Sequence, residues 1–149
     1  MLVFVASVTP CPVARDRAAR QGGLELLNRA EDLIMEMAGP IQRMPRSYRH
    51  RAGAMLEERL MELAELIIEA AASGQPSKVY RLQEHIRKVK FRISVEAKKE
   101  LIRPKVAGSV MREPNPEDDR DFGGSLYQIE AMVGAWRDRI DQRKRAKGV

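Results

Sequence analysis

The chain has 149 residues and a net charge of +6, with 44% hydrophobic, 32% charged and only 5% aromatic residues. This composition excludes a disordered chain and argues against a sheet sandwich, because the core has to be built from Leu, Ile, Val, Ala and Met. The basic balance favours nucleic acid or another acidic partner, although a basic surface also simply keeps a protein in solution.

The single cysteine, Cys11, excludes an internal disulfide and a cysteine metal cluster. His50 and His85 lie far apart in the sequence, whereas zinc takes three or four ligands at close or paired spacings, so we expect no metal and no cofactor. No apolar run approaches the roughly 20 residues of a membrane span. Residues 1–8 could be a signal peptide, but no positive charge precedes this short run, so a cytoplasmic location without membrane contact is expected.

The first predicted helix runs from about Leu24 to Gln42, after a flexible polar leader at residues 1–22. It opens a helical domain of residues 23–146. Apolar residues recur every three or four positions, which keeps one helix face turned toward a core. Pro40 removes a backbone donor and weakens the last turn. The apolar row consists of Leu27, Ala30, Ile34, Met37 and Ile41.

The second predicted helix lies within residues 44–72, and its apolar stripe needs partners along its whole length. Pro45 disfavours helical geometry at the residue before it, and Ser47 is placed to cap the first turn. The helix stops at the Ser-Gly-Gln-Pro sequence of residues 73–76. Its apolar row consists of Leu56, Leu60, Leu63, Ile67 and Ala70.

The third predicted helix runs from about Ser77, a suitable cap, to Arg103, where Pro104 ends it. Between Lys78 and Lys105 there are ten basic and three acidic residues, so this segment carries 10 − 3 = +7. The apolar row takes the inward face, which leaves the basic side chains mostly outward. That row consists of Val79, Leu82, Ile86, Val89, Ile93 and Ala97.

Residues 104–124 show no helical period and are rich in Gly, Pro and acidic residues, which predicts a mobile link. The link is either a solvated linker or an acidic flap that competes with nucleic acid for the basic face. A fourth helix then opens with a capping box of Ser125 and Gln128. Trp136 is expected to anchor the core or an interface. The apolar row consists of Leu126, Ile129, Val133, Trp136 and Ile140.

Four helices with one shared spacing, joined largely by short links, predict an all-α, up-down-up-down four-helix bundle. None of the common catalytic motifs is present, so the chain is not expected to be an enzyme and has no predicted catalytic residue. The second helix carries several glutamates between Glu57 and Glu69. They do not indicate a di-iron site, because neither histidine has a glutamate three residues before it.

Two short motifs fall in order on the predicted helices. The first is Met-Pro-Arg-Ser-Tyr-Arg at residues 44–49, followed by Gly53 and the Leu-rich helix to Ala70. The second is the run from Ile129 to Trp136, which ends in Gly-Ala-Trp. Together they resemble a bacterial four-helix family that includes the accessory variability proteins of diversity-generating retroelements and the proteins encoded in ribosomal RNA intervening sequences. In that family the last helix often reads Ile-Gly-x-x-Leu-Gly-Gly-Trp, and the resemblance covers about residues 27–140.

The resemblance implies a four-helix protomer assembled into a pentameric barrel with a basic outside. It also implies an accessory protein, not itself an enzyme, that binds nucleic acid and the element's reverse transcriptase and supports mutagenic copying. The alternative within the same family is a structural or assembly protein of the intervening-sequence type, whose basic face does nothing specific. Independent support for a homo-oligomer comes from four apolar residues beside the main row of the second helix, since such patches mark interfaces. They are Met55, Met61, Ala64 and Ile68.

The third helix is the predicted nucleic-acid surface, extended by basic residues at the start of the second helix. Arg and Lys there neutralise phosphates and release counterions, so affinity is expected to fall steeply with salt. Tyr80 and Phe91 are isolated and form no stacking ladder, so DNA, RNA or a hybrid is expected to bind with little sequence preference. The candidate binding residues are Arg46, Arg49, Arg51, Lys78, Arg81, Arg87, Lys88, Lys90, Arg92, Lys99 and Arg103.

Overall fold

A computed structural model describes the backbone of residues 12–148 and the side chains of residues 23–148. All regular secondary structure within residues 12–148 is helical, which confirms the all-α prediction. Residues 1–11 lie outside the described residues. The predictions made for the signal-peptide-like run and for the first half of the leader therefore lie outside them as well. In the part of the chain that the structure covers, no helix carries an apolar stretch long enough to cross a bilayer.

Helix α1 spans Pro12–Gln42 and begins well before the predicted start at Leu24. The predicted apolar row was only partly right, because Leu27 and Ile34 are half-buried while their neighbours Leu26 and Leu33 are buried. Spacing by three and four fits both rows. Contact with another helix decides between them: Gly23 faces Ala71 so closely that a Cβ at position 23 would lie 2.8 Å from the Ala71 Cβ. The buried row is Leu26, Ala30, Leu33, Met37 and Ile41.

A short helix α2, Arg46–Tyr48, continues through a π-helical turn, Arg49–Gly53, into helix α3, Ala54–Ser73. The cap predicted at Ser47 is wrong, because the helix starts one residue earlier with Pro45 at the N-cap and no side-chain cap bond. The predicted apolar row of α3, from Leu56 to Ala70, is buried throughout. The helix ends at Gly74, whose left-handed φ of 63° lets its N–H donate to the Ala70 carbonyl.

Helix α4 spans Pro76–Lys98, and Pro76 occupies its first turn, so Ser77 lies inside the helix and is not its cap. The helix ends before the predicted Arg103. Glu100 adopts a positive φ of 62°, and the N–H of Leu101 donates to the Glu96 carbonyl at 3.0 Å, which closes the helix end. The chain turns here because Ile102 enters the core, where only 1% of it is exposed. The predicted inward row from Val79 to Ile93 is buried.

The predicted link without helix is wrong for its first part, because Pro104–Met111 form helix α5. Ala107 and Val110 are buried, and this burial stabilises the helix. Its apolar pattern covers only about two turns, which is too short to be recognised in the sequence. The loop of residues 112–124 follows. Its Asp121 accepts two hydrogen bonds from Arg112, one of them 2.7 Å long, and these bonds hold the pKa of the carboxyl far below its usual range.

Helix α6 spans Ser125–Lys147 and begins at the predicted residue, but the capping box is wrong. The Ser125 hydroxyl donates to the Glu36 carboxylate of α1 at 3.0 Å, and the Gln128 side-chain amide donates to the Gly123 carbonyl at 2.9 Å. Tertiary contact with α1 thus replaces the local cap. The predicted apolar row of α6 is buried at Leu126, Ile129, Val133 and Ile140. Trp136, the remaining member of the row, is half-buried against the core.

Each long helix packs on two others: α1 on α3 and α6, and α4 on α3 and α6. The buried rows of all of them meet in one hydrophobic core. Helix α5 packs against α4 and α6 at one end of this core. Of the six predicted basic residues on α4, Arg81, Arg87 and Lys88 are exposed, and Lys78, Lys90 and Arg92 are half-buried.

Candidate nucleic-acid interface

Three of the predicted basic residues are engaged by neighbouring elements. The Lys90 ammonium lies 2.9 Å from the Glu130 carboxylate on α6, and the Lys78 ammonium lies 3.7 Å from that of Glu69 on α3. Arg49 donates to the Gln42 carbonyl at 3.4 Å, near the C-terminus of α1, where a cation is favourable. A phosphate at any of these side chains would have to compete with the contact that the side chain already makes.

The other predicted residues, Arg92 apart, are exposed. Lys88 follows Arg81 by seven residues, so the two lie along the same side of α4, and exposed Lys99 directly follows the last residue of the helix. Arg87 stands beside this row and is exposed as well. The full exposed set comprises Arg46, Arg51, Arg81, Arg87, Lys88, Lys99 and Arg103.

Arg92 is held in place at the boundary between α3 and α4. Its Nε lies 3.3 Å from the Glu96 carboxylate, which is only 1% exposed, and its Nη2 lies 3.2 Å from the Met55 sulfur of α3. The second carboxylate oxygen of Glu96 has no hydrogen-bond partner among the described residues. Arg92 is therefore the counter-ion of a buried carboxylate, and its role is partly structural.

An open groove of about 370 Å³ lies between α3 and α4. Four of its lining side chains are cationic and only Glu84 is acidic, which gives the groove a formal charge of 4 − 1 = +3. One wall is Arg59 of α3, which the sequence analysis did not single out because it stands among glutamates. The residues that line the groove are Arg59, Glu84, Arg87, Lys88, Phe91 and Arg92.

The two aromatic residues of α4 differ in what surrounds them. Tyr80 lies under the cations of Arg137 and Lys144, 5.1 and 4.8 Å from its ring centre, and its hydroxyl donates to Asp141 at 2.7 Å. Phe91 is 71% exposed at the edge of the groove. Phe91 was predicted to be isolated and was given no role in binding. The signal available in the sequence was the position of Phe91 outside the inward row, with four cations within four residues of it.

His85 fixes α4 to α3 beneath the groove. Because a carbonyl oxygen only accepts, the His85 Nε2 carries the proton and donates to the Arg59 carbonyl at 2.8 Å. His85 Nδ1 lies 3.8 Å from the Glu62 carboxylate, which also lies 3.4 Å from the Arg59 guanidinium. In the part of the chain that the structure describes, no group of three or more His, Cys, Asp or Glu side chains is placed to hold a metal ion.

The acidic loop of residues 112–124 does not reach the basic row in this structure. Its Asp121 is paired internally with Arg112, and within residues 23–148 no salt bridge joins the loop to a cation of α4. The residues Glu113, Glu117, Asp118 and Asp119 are exposed to solvent. The solvated-linker interpretation describes these contacts better than an acidic flap closed over the groove.

Comparisons with known proteins returned no match: no family model, no curated protein and no solved structure matches this chain. The resemblance to the retroelement accessory proteins, drawn from the motifs at residues 44–70 and 129–136, therefore stays a prediction. What it implies for function enters below as a proposal.

Proposed function

We propose that this protein is a nucleic-acid-binding accessory protein that associates with the reverse transcriptase of a diversity-generating retroelement and supports mutagenic copying. In this proposal the four long helices form an up-down-up-down bundle, the protein acts in the cytoplasm, and it performs no chemistry of its own. The reverse transcriptase and the retroelement come from the sequence resemblance alone. Nucleic-acid binding has independent support from the surface of α4.

The supporting observation is the groove between α3 and α4, where Arg87 and Lys88 are exposed and form no ion pair within the described residues. The other two groove cations, Arg59 and Arg92, are paired with Glu62 and Glu96. Exposed Arg81 and Lys99 lie on either side of the groove along the chain. Phosphate oxygens are the complement of such a surface, because each cation that pairs with a phosphate releases condensed counterions. Such contacts hold the backbone and carry little base information. We therefore expect salt-sensitive binding with little sequence preference.

The alternative function is a structural or assembly protein of the intervening-sequence type, for which the basic surface only keeps the protein in solution. The two functions differ in what the exposed cations of α4 do. A gene neighbourhood with a reverse transcriptase and a template and variable repeat pair favours the accessory protein, and binding measurements on the isolated protein test the surface directly.

The combined Arg87→Glu and Lys88→Glu variant is expected to lower affinity for DNA, RNA and a hybrid at least tenfold in about 100 mM salt, since it removes two phosphate contacts and adds two repulsive charges. The slope of log affinity against log salt is expected to fall by about two. Fluorescence anisotropy at several salt concentrations measures both quantities. These two positions are suited to the test because both side chains are exposed.

The matched control is the combined Arg139→Glu and Arg143→Glu variant, which changes the net charge equally at exposed positions on α6. It is expected to weaken binding much less than the α4 variant. Equal losses in the two variants would show that binding follows net charge and not the α4 surface. Unchanged affinity of the α4 variant, with the assembly intact, would refute the proposed binding site.

We also propose that the protomers assemble into a homo-oligomer, a pentamer by the resemblance, through the exposed side of α1 and α3. Met61 and Ile68 lie seven residues apart on α3 and are 51% and 52% exposed, and Leu24 and Met35 on α1 are 60% and 74% exposed. Ala64, expected in the same patch, is buried within the protomer. Exposed large apolar side chains on two helices that pack together favour a contact surface there.

Changing both Met61 and Ile68 to Glu is expected to convert the oligomer to monomers, because a symmetric contact would bury several repelling charges at once. Phe122→Glu, at a position 67% exposed on the loop, is the control that changes an apolar side chain away from the proposed contact. Light scattering gives the masses. A monomer mass for the unchanged protein at micromolar concentration would end the proposal.

A further inference from the structure

Phe91 is the exposed aromatic side chain of α4, in a chain that has only 5% aromatic residues. The residue is 71% exposed, so most of its apolar surface stays in contact with water. A single exposed apolar residue needs no explanation by itself. The position of Phe91 distinguishes it from other exposed apolar residues, because it lies at the edge of the cationic groove.

The helix places cations on the same side as the ring. Arg87 and Lys88 precede Phe91 by four and three residues, which is one turn of α4, and all three line the groove. Arg92 adds a third cation on α4, fixed by its contact with the buried Glu96. The ring therefore has positive charge beside it along the helix axis and toward α3.

The opposite wall is supplied by α3. Arg59 lines the groove from there, and its backbone carbonyl is held by His85, so this part of α3 is tied to α4 directly beneath the groove. Met55 lies one turn before Arg59, is 45% exposed, and contacts Arg92 through its sulfur. The exposed ring of Phe91 thus lines the groove together with four cationic side chains and one acidic side chain, that of Glu84. The volume of about 370 Å³ is at the lower end of the roughly 300–1,000 Å³ of small-molecule sites.

We propose that this groove takes an unpaired base of single-stranded nucleic acid, stacked on the face of Phe91, with the flanking phosphates on Arg59, Arg87 and Lys88. The inference rests on the proposed nucleic-acid binding and narrows its substrate class to strands with unpaired bases. A planar base with a phosphate on each side matches one apolar face with cations on both walls. Stacking tolerates any base, because every base has a π-face.

A duplex does not offer this contact, since its bases are stacked within the helix and reach a protein only by their edges or after extrusion. A duplex then uses the cations alone. An acidic protein segment with an apolar side chain is the other occupant that this chemistry could accept. The base is favoured because the repeated phosphate charge of a strand also matches exposed Arg81 and Lys99, which lie on either side of the groove along the chain.

The test compares Phe91→Ala with Phe91→Trp on three ligands of equal length: a single-stranded oligonucleotide, the same strand with abasic sites, and a duplex. Phe91→Ala is expected to lower affinity for the intact single strand about 5- to 150-fold, the range found for loss of one stacked base. Affinity for the abasic strand and for the duplex is expected to stay within about twofold. Phe91→Trp is expected to retain or raise affinity for the intact strand, because a larger ring preserves the stacking face.

The Arg87→Glu and Lys88→Glu variant, measured on the same ligands, separates this inference from the proposed function. Loss of all binding in that variant, with no effect of Phe91→Ala on the intact strand, would refute stacking and leave nucleic-acid binding in place. No effect of either variant would refute both. An equal loss on all three ligands for Phe91→Ala, or a changed mass in light scattering, would show that Phe91 supports the fold or a protein contact, and the inference would be wrong.

Discussion

Replacing Arg92 with alanine is expected to lower the free energy of unfolding by about 3 kcal/mol, because it leaves the Glu96 carboxylate buried without its counter-ion. Glu96 is 1% exposed, and Arg92 is the cation within 4 Å of it. One of the Glu96 oxygens already has no partner among the described residues, so little local hydrogen bonding is available to compensate. Urea unfolding followed by circular dichroism, at one fixed protein concentration, measures the change.

A second substitution tests whether the buried Glu96 charge causes the loss of stability in Arg92→Ala. Adding Glu96→Met to the Arg92→Ala variant is expected to recover most of the lost stability, because the buried charge is replaced by an apolar side chain of similar size. Arg87→Ala is the matched control, since it removes an exposed arginine from the same helix, and it is expected to stay within about 0.5 kcal/mol of the unchanged protein. If Arg92→Ala is no more destabilising than Arg87→Ala, the ion pair does not stabilise the fold.

The structural role of Arg92 also decides how the binding surface should be tested. A glutamate at position 92 would face the buried Glu96, and a glutamate at position 90 would face Glu130 in place of Lys90. Charge reversal at either position would therefore weaken the fold along with any phosphate contact. A loss of binding in such a variant would have two causes, which is why Arg87 and Lys88 carry the binding test.

Gly124→Ala is expected to destabilise the protein by about 2–3 kcal/mol, because a Cβ at this position would overlap the backbone carbonyls of Ser109 and Val110 in the last turn of α5. Backbone atoms at a packed helix end move less readily than a flexible side chain. The Gly124 N–H also donates to the Arg112 carbonyl at 2.8 Å, so displacing the residue costs this bond as well. Thermal or urea unfolding measures the loss.

Gly134→Ala is the control for the backbone effect of adding a methyl group. Apart from the neighbouring residues and backbone of its own helix, no atom lies within 4 Å of the Cβ that it would introduce on α6. The substitution is therefore expected to be neutral or to stabilise the helix by up to about 1 kcal/mol. Opposite signs for the two alanine substitutions would confirm that close contact between α5 and the start of α6 requires Gly124. Similar small effects for both would show that this contact can relax.

The helical nature of the chain and the inward rows of α3, α4 and α6 could be predicted from the sequence. In these helices one set of apolar residues recurs every three or four positions, and the period alone identifies the buried face, as Leu56 to Ala70 of α3 illustrate. On α1 the sequence contains two overlapping apolar sets, one with Leu26 and Leu33 and one with Leu27 and Ile34. Packing against Ala71 at Gly23 selects the first.

Helix ends depended on tertiary contacts more than on local signals. Serine commonly caps helices, and the sequence places Ser47, Ser77 and Ser125 near three helix starts. No side-chain cap is formed at the start of α2, α4 or α6. Ser125 bonds to Glu36 of another helix instead. Helix α4 ends at Lys98 because the chain turns to bury Ile102. No local sequence pattern predicts this turn.

In the candidate site, too, some features follow from the sequence and others depend on tertiary contacts. Sequence by itself determined that α4 is basic and that Phe91 falls outside its inward row, because both follow from composition and a helical period. Only the tertiary structure decided which cations remain available, since Glu69, Glu130 and Gln42, which engage three of them, come from other helices. It also brought Arg59 of α3 to the groove on α4. A contact between helices depends on how they pack, and the spacing within one helix carries no information about that.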